Sequence, residues 1–297
     1  FNKLIQYAIW GPQSPATHVL STAELQQMDP QELVDRIHKI NTYEHKILYY
    51  GPEKPQALLD IVKQYHNVPE KLVPVPAATE FKQQETPKNK VLLAQYDDKQ
   101  IYFSAVSNRG EKFDSSIEPT LNMYNEYFGG GMNAIVFQEM REARGLAYSA
   151  GAYLITPSKL KYPYVYRTFI ATQNDKMIDA MKAFDDIINN MPESEKALNM
   201  EKEALITRMR TERITKSGVL WSYLNAQDLG LNTDSRKELF EKVPSMTLAD
   251  IKAFQEKWVK GRTYTYCVLG DEKDLDLKSL EQYGPVTKLS KEEIFGY

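Results

Sequence analysis

Internal disulfide chemistry is excluded at once, because the 297-residue chain holds a single cysteine, Cys267. It lies in the apolar run Tyr264 to Leu269 and reads as a small buried hydrophobe. A basic surplus is also missing. With 37 Lys and Arg against 40 Asp and Glu the net charge is −3, which argues against a nucleic-acid partner. No apolar run approaches the length of a membrane span, and no signal peptide opens the chain. The first residue is Phe rather than Met, so the missing signal leaves the compartment open, an extracytoplasmic one included. With 42% hydrophobic and 26% charged residues, a disordered chain is excluded, and one large domain or two ordinary ones can pack a core.

What is present centres on one stretch, Tyr127 to Tyr153. Its glycine triplet, Gly129 to Gly131, ends one amphipathic helix and lets the backbone turn where Cβ atoms would clash. Met132, Ile135, Val136, Met140 and Ala143 then predict a helix over 132–144 with one buried stripe. Gly145 stops that helix, and Ala147 to Ile155 reads as a strand packed closely on a neighbour. Arg141 stands on the last helical turn, four residues after Phe137, and Tyr148 opens the strand. Joined by a glycine turn, they can point into one space with five N–H donors and one O–H donor, suited to a peptide carbonyl or a carboxylate. The residues by themselves fit a blander role better, with Arg141 capping its helix and Tyr148 as a half-buried core aromatic.

Phe128-Gly-Gly-Gly-Met132, followed by Phe137-Gln-Glu-Met-Arg141-Glu-Ala-Arg-Gly145-Leu-Ala-Tyr148, resembles the C-terminal-type domain of the pitrilysin/insulysin zinc metallopeptidases, the inverzincins. In that family an Arg and a Tyr seven residues apart bind substrate across a chamber from the zinc, and Arg141 and Tyr148 match that spacing. The match is specific over about 25 residues and extends through most of the chain after residue 85. The resemblance implies a substrate-binding role for Arg141 and Tyr148 in peptide hydrolysis. The family's zinc motif is H-x-x-E-H with a glutamate far downstream. Here the four histidines are His18, His38, His45 and His66, and the nearest approach, Asn41-Thr-Tyr-Glu44-His45, lacks the first ligand. No metal or other cofactor is therefore expected in this chain. Zinc is expected in a complementary half, on the same parent chain or a partner subunit, and the chain alone is expected to be inactive. The alternative is a metal-free scaffold or partner subunit of the same fold. A third reading is an unrelated α+β binding domain. The glycine triplet is no phosphate loop, since no Lys-Ser/Thr follows it.

The rest of the chain is read around that stretch. Residues 1 to 22 read as a loop, with Gly11, Pro12 and Pro15 against a helix. A helix bearing Leu33, Ile37 and Ile40 follows, then a short strand from His45 to Tyr50 closed by Gly51. That unit returns near the end of the chain. Met28 to Gly51 parallels Met246 to Gly270, with Leu33 and Ile251 at the same offset and a tyrosine following each glycine, Tyr65 or Tyr283. The repeat predicts that residues 1–51 are the tail of a preceding homologous domain, 52–90 a proline-rich linker, and 91–297 a complete domain. Repeated domains are also what the family resemblance implies.

In the second domain, strands over 91–96 and 101–106 are expected as a hairpin around Asp97 to Gln100. Strands 147–155 and 162–171 flank a loop at 157–163, with Tyr162, Tyr164 and Tyr166 on one face. Helices are expected over 175–190, 195–213, 218–229 and 248–258, the charged run from Glu193 to Arg213 being a solvated face, before a last strand at 263–269. The fold class is α+β, a mainly antiparallel sheet with helices packed on one face, the repeated-domain architecture of these metallopeptidases.

Overall fold

A computed structural model describes residues 1–297. Six strands form one open sheet: β1 Lys90–Gln95, β2 Gln100–Ser107, β3 Ser149–Ile155, β4 Val165–Gln173, β5 Thr265–Gly270 and β6 Val286–Leu289. Their order is β3-β4-β2-β5-β1-β6. The pairs β3–β4, β4–β2 and β2–β5 are antiparallel, while β1 runs parallel to both β5 and β6.

The expected hairpin of β1 with β2 does not form, because β5 enters between them. β1 is buried on both faces from Val91 to Ala94, so it needs a partner along each edge. Tyr96 to Lys99 lacks the Asn-Gly or Asp-Gly pair that closes a tight hairpin.

Thirteen helices accompany the sheet. Ahead of it come α1 Asn2–Trp10, α2 Thr22–Gln27, α3 Pro30–Ile40 and α4 Pro55–Tyr65. Between β2 and β3 lie α5 Glu118–Asn125 and α6 Ile135–Phe137, each continued by a widened turn, Glu126–Gly130 and Gln138–Ala143. After β4 follow α7 Met177–Asn189, α8 Glu195–Thr211, α9 Ser217–Asp228, α10 Ser235–Lys242 and α11 Leu248–Phe254, then α12 Leu277–Leu280 and α13 Lys291–Phe295.

Alternation along the strands sorts side chains into two cores. Val91 and Leu93 join a cluster of 41 buried residues with α5, α7, α8 and α11. Leu92, Ala94 and Cys267 face the other side, in a cluster of 10 with Leu4 and Ile5 of α1 and Ile294 of α13. Burial pushes the Cys267 thiol up to about 12, which keeps it protonated and unreactive.

α1 corrects the expected loop at the N-terminus. Gly11, with φ +80°, ends this helix rather than preventing it, and Leu4, Ile5 and Ala8 cover the second sheet face. The strand expected from His45 to Tyr50 is absent. A single bridge, Tyr43 to Val73, is all that forms there, since no sheet edge lies beside it. Of the three tyrosines expected on one sheet face, only Tyr166 lies in β4; Tyr164, just before it, joins the same core, and Tyr162 packs against Trp10.

α7 carries a half-buried carboxylate. Desolvation raises the Asp185 carboxyl to about 6, with Tyr266 and Tyr283 near it. The folded state therefore binds this proton more tightly than the unfolded chain, whose aspartates titrate near 3.9, and the ionisation penalty grows as pH rises between those values. Asp185→Asn is expected to raise stability at pH 7–8 and leave it unchanged below about pH 4. Urea unfolding of both proteins at pH 4 and 7.5 reads this, and a pH-independent difference would refute it.

Candidate functional site

The turn from α6 to β3 brings the two predicted residues together. Gly145 adopts φ +59°, the left-handed conformation expected of it, and its N–H donates to the Arg141 carbonyl at 3.1 Å. The N–H groups of Leu146 and Ala147 both donate to the Met140 carbonyl, at 2.8 and 3.2 Å. Thr172 Oγ1 donates to the Leu146 carbonyl at 2.5 Å, and Lys176 Nζ to that of Gly145 at 3.2 Å. Tyr148 N–H donates to the Ala171 carbonyl at 2.9 Å, although Ala171 lies opposite Ser149. Two residues thus share one partner, a bulge at the strand start that turns the Tyr148 side chain outward.

Tyr148 is 75% exposed, which removes the expectation of a half-buried core aromatic. The Arg141 guanidinium does not cap its helix. Its carbon lies 5.4 Å from the centre of the Tyr148 ring and 5.0 Å from that of Phe137. Its charged partner is Glu142, with Nε 3.6 Å from Oε1, and 43% of the side chain is open to solvent. Two aromatic rings thus lie within cation–π distance of the guanidinium, which stays partly open to solvent. Sequence reasoning gives Phe137 no role at the site, although its i,i+4 spacing to Arg141 puts the pair on one helix face. Arg144 is turned elsewhere, toward Glu139 at 3.5 Å and Asp186 at 3.4 Å.

The predicted helical stripe is corrected at both ends. Met132 is 74% exposed, because Gly131 is extended and α6 begins only at Ile135. Ala143 is exposed because the widened turn over Gln138–Ala143 rotates it off the buried face.

The glycine triplet supports the site from behind. Gly129 lies directly on the backbone of Ala152, so it permits close packing of helix on strand. Alongside it, Asn125 Oδ1 accepts from Leu154 N–H and Asn125 Nδ2 donates to Leu154 C=O, each at 3.0 Å. This occupies the outer edge of β3. Glu201 departs from the solvated face expected of α8. It is buried near Gly131, and desolvation with Glu126 nearby raises its carboxyl above the usual range. The charges of α8 pair across the fold instead of along the helix, Arg208 with Glu126 at 2.5 Å and Lys202 with the Met246 carbonyl at 2.8 Å.

His45 and His66 meet, Nε2 to Nε2 at 2.7 Å, a contact unforeseen in the sequence. Nowhere in the structure do three His, Cys, Asp or Glu side chains gather in the way that could hold a metal ion. No helix is long and apolar enough to cross a membrane.

Several solved structures share the fold. The peptidase M16 inactive domain from Pseudomonas fluorescens matches with a TM-score of 0.65 at 16% identity, over 91% of this chain and 64% of its own. A conserved protein from Enterococcus faecalis V583 gives 0.69 at 15% identity, over 92% of this chain and 64% of its own. A point mutant of the ferredoxin protease FusC, in complex with Arabidopsis ferredoxin, gives 0.63 at 13%, over 91% of this chain and 29% of its own. This chain thus spans less than two thirds of each of them. No curated protein matches. The family model described as "Peptidase M16 inactive domain" matches residues 45–205, more than half of the 297. The chain belongs to the peptidase M16 inactive-domain family, the non-catalytic counterpart of the pitrilysin/insulysin-type peptidases that its Arg141–Tyr148 stretch resembles.

Proposed function

We propose that this chain supplies the substrate-holding, zinc-free part of a zinc metallopeptidase, enclosing peptides in a chamber with a complementary half. The observation that carries the reading is the Arg141 guanidinium, 5.0 Å from the Phe137 ring centre and 5.4 Å from that of Tyr148, with 43% of its side chain open to solvent. The complementary half, on the same parent chain or a partner subunit, brings the zinc, which activates water for attack on the scissile carbonyl. Within this chain, Arg141 grips a substrate carbonyl or carboxylate through its planar fork. The Tyr148 O–H donates to oxygen as charge develops on it. Residues 1–51 are read as the tail of a preceding homologous domain, 52–90 as a linker and 91–297 as the complete domain. One structural neighbour is a protease in complex with ferredoxin, which favours a polypeptide as the substrate class.

The test is peptide hydrolysis by the complete native protein, with and without a chelator, beside residues 1–297 alone. Chelator-sensitive cleavage by the first and none by the second is the expected result, with no stoichiometric zinc in the shorter chain by elemental analysis. The "inactive" description of the family favours a second reading, a metal-free scaffold or partner subunit. Absence of cleavage by the complete protein would select it.

A further inference from the structure

We propose that the interior between the sheet and its helical layer binds an ordered water, which bridges the hydroxyls of Tyr166 and Tyr264 beside the buried guanidinium of Arg262. The inference is independent of any peptide-handling role for Arg141 and Tyr148.

Two buried hydroxyls carry it. Tyr166 of β4 and Tyr264, one residue before β5, are 0% and 5% exposed, and neither Oη has a hydrogen-bond partner within the protein. Their rings lie 6.4 Å apart. A phenol taken out of water without a partner lowers stability, whereas phenylalanine would fill the same space with no polar atom to satisfy. Buried tyrosine hydroxyls accordingly end on a partner as a rule. The neighbouring residues follow that rule. Tyr124 of α5, also fully buried, donates to Oε1 of Gln255, and Gln255 Nε2 donates to the Ile188 carbonyl. Gln255 opens the widened turn Gln255–Val259 that continues α11, so the helical layer presents polar atoms on this side of the core.

The chemistry of the ligand follows from what surrounds the two hydroxyls. Tyr124, Tyr166 and Tyr264 all stay protonated, because desolvation pushes each hydroxyl above its ordinary range, and the charge of Arg262 is felt at all three. Each hydroxyl can therefore donate one hydrogen bond and accept another. The Arg262 guanidinium carbon lies 5.7 Å from the centre of the Tyr166 ring, and its side chain is fully buried. Its donors reach the Trp258 carbonyl at 2.6 Å, Ser107 Oγ at 3.5 Å and Glu111 Oε2 at 2.6 Å. That cation keeps a metal ion or an ammonium out of the space by repulsion. Glu111 already balances it, so no anion is required either. What fits is a small neutral molecule that donates and accepts at once. Water meets this description, and a buried water typically bonds two to four polar groups.

Melting curves of the complete protein test this, with Tyr166→Phe, Tyr264→Phe and the double substitution beside wild type. A hydroxyl bonded to water loses that bond on conversion to phenylalanine, so each single change should lower the melting temperature by roughly 2–4 °C. Because both hydroxyls hold the same water, the double variant should melt close to the lower single variant rather than at the summed shift. A hydroxyl with no partner predicts the opposite sign, since phenylalanine then removes a buried polar group that nothing satisfies. An unchanged or raised melting temperature in either single variant would overturn the proposal. Additive losses would overturn it as well, because they assign each hydroxyl a separate partner. A crystal structure of the wild type supplies the direct check. It should show solvent density within hydrogen-bond distance of both Oη atoms, and a dry contact there would refute the site. Peptide turnover plays no part in these readouts, so this inference and the role of Arg141 fail separately.

Discussion

Replacing Arg141 by alanine in the complete protein is expected to lower kcat/KM for a peptide substrate by roughly 10–10²-fold, the usual scale of losing one hydrogen bond from a charged group. The fold should survive. The side chain is 43% open to solvent, and beyond Glu142 at 3.6 Å its contacts are the faces of Phe137 and Tyr148. Losing the two ring contacts removes about 0.5–1 kcal/mol each at such exposed positions. A melting curve within a few degrees of wild type is therefore expected alongside the kinetic loss. The kinetics also separate the two residues. A guanidinium that grips substrate and transition state alike should act mainly through KM, and Tyr148→Phe, removing a donor to developing charge, mainly through kcat. Arg141→Lys keeps the charge but loses the planar fork, so it should recover only part of the activity. Wild-type turnover in both Arg141→Ala and Tyr148→Phe would sink the assignment, as would a loss that tracks unfolding.

How far this arrangement is legible in the sequence depends on how local each part is. Arg141 and Tyr148 are seven residues apart across a glycine turn, and Gly145 with φ +59° brings them together through short-range chain geometry. The β3–β4 pair is legible for the same reason, with a loop of proline and lysine between two runs of strand formers. Strand order is not, because a period of two reports which face a residue takes and says nothing about which strand lies beside it. β5 arrives about 160 residues after β2 and still enters between β1 and β2, and no local signal in Asp97 to Gln100 announces it. α1 is hidden by its own breakers, since Gly11 and the prolines after it suggest a loop when in fact they bound a helix. The charged neighbours of Glu201 suggest a solvated side chain. What buries it comes from far along the chain, with Gly131, on a loop 70 residues earlier, beside its carboxylate.

Gly129→Ala should be the most destabilising single methyl that can be added near the site. A Cβ at Gly129 would overlap the Ala152 carbonyl oxygen and lie 2.6 Å from Ala152 N and 2.7 Å from Ala152 C. All three are backbone atoms of β3, so no side chain can swing aside. Neither partner can retreat easily. Asn125 grips Leu154 by two hydrogen bonds of 3.0 Å, and Tyr127 Oη donates to the Pro192 carbonyl and accepts from Ser194 N–H, both at 3.0 Å. Overpacking costs typically 1–3 kcal/mol where side chains can adjust, so about 3 kcal/mol or more is expected where only backbone can. Gly131→Ala is the control. The sole atom within 4 Å of its added Cβ is Glu201 Oε1 at 3.8 Å, and its φ of −145° is ordinary extended backbone, so its urea midpoint should stay near wild type. A Gly129→Ala midpoint equally near wild type would refute the close helix-on-strand contact. Because β3 begins beside Tyr148, the strain also reaches the site. A shift of about 1 Å in a positioning element can cost on the order of 10²-fold in rate. Gly129→Ala held folded at low temperature should therefore lose peptide turnover with Arg141 and Tyr148 chemically intact, which separates where the two side chains are held from what they do.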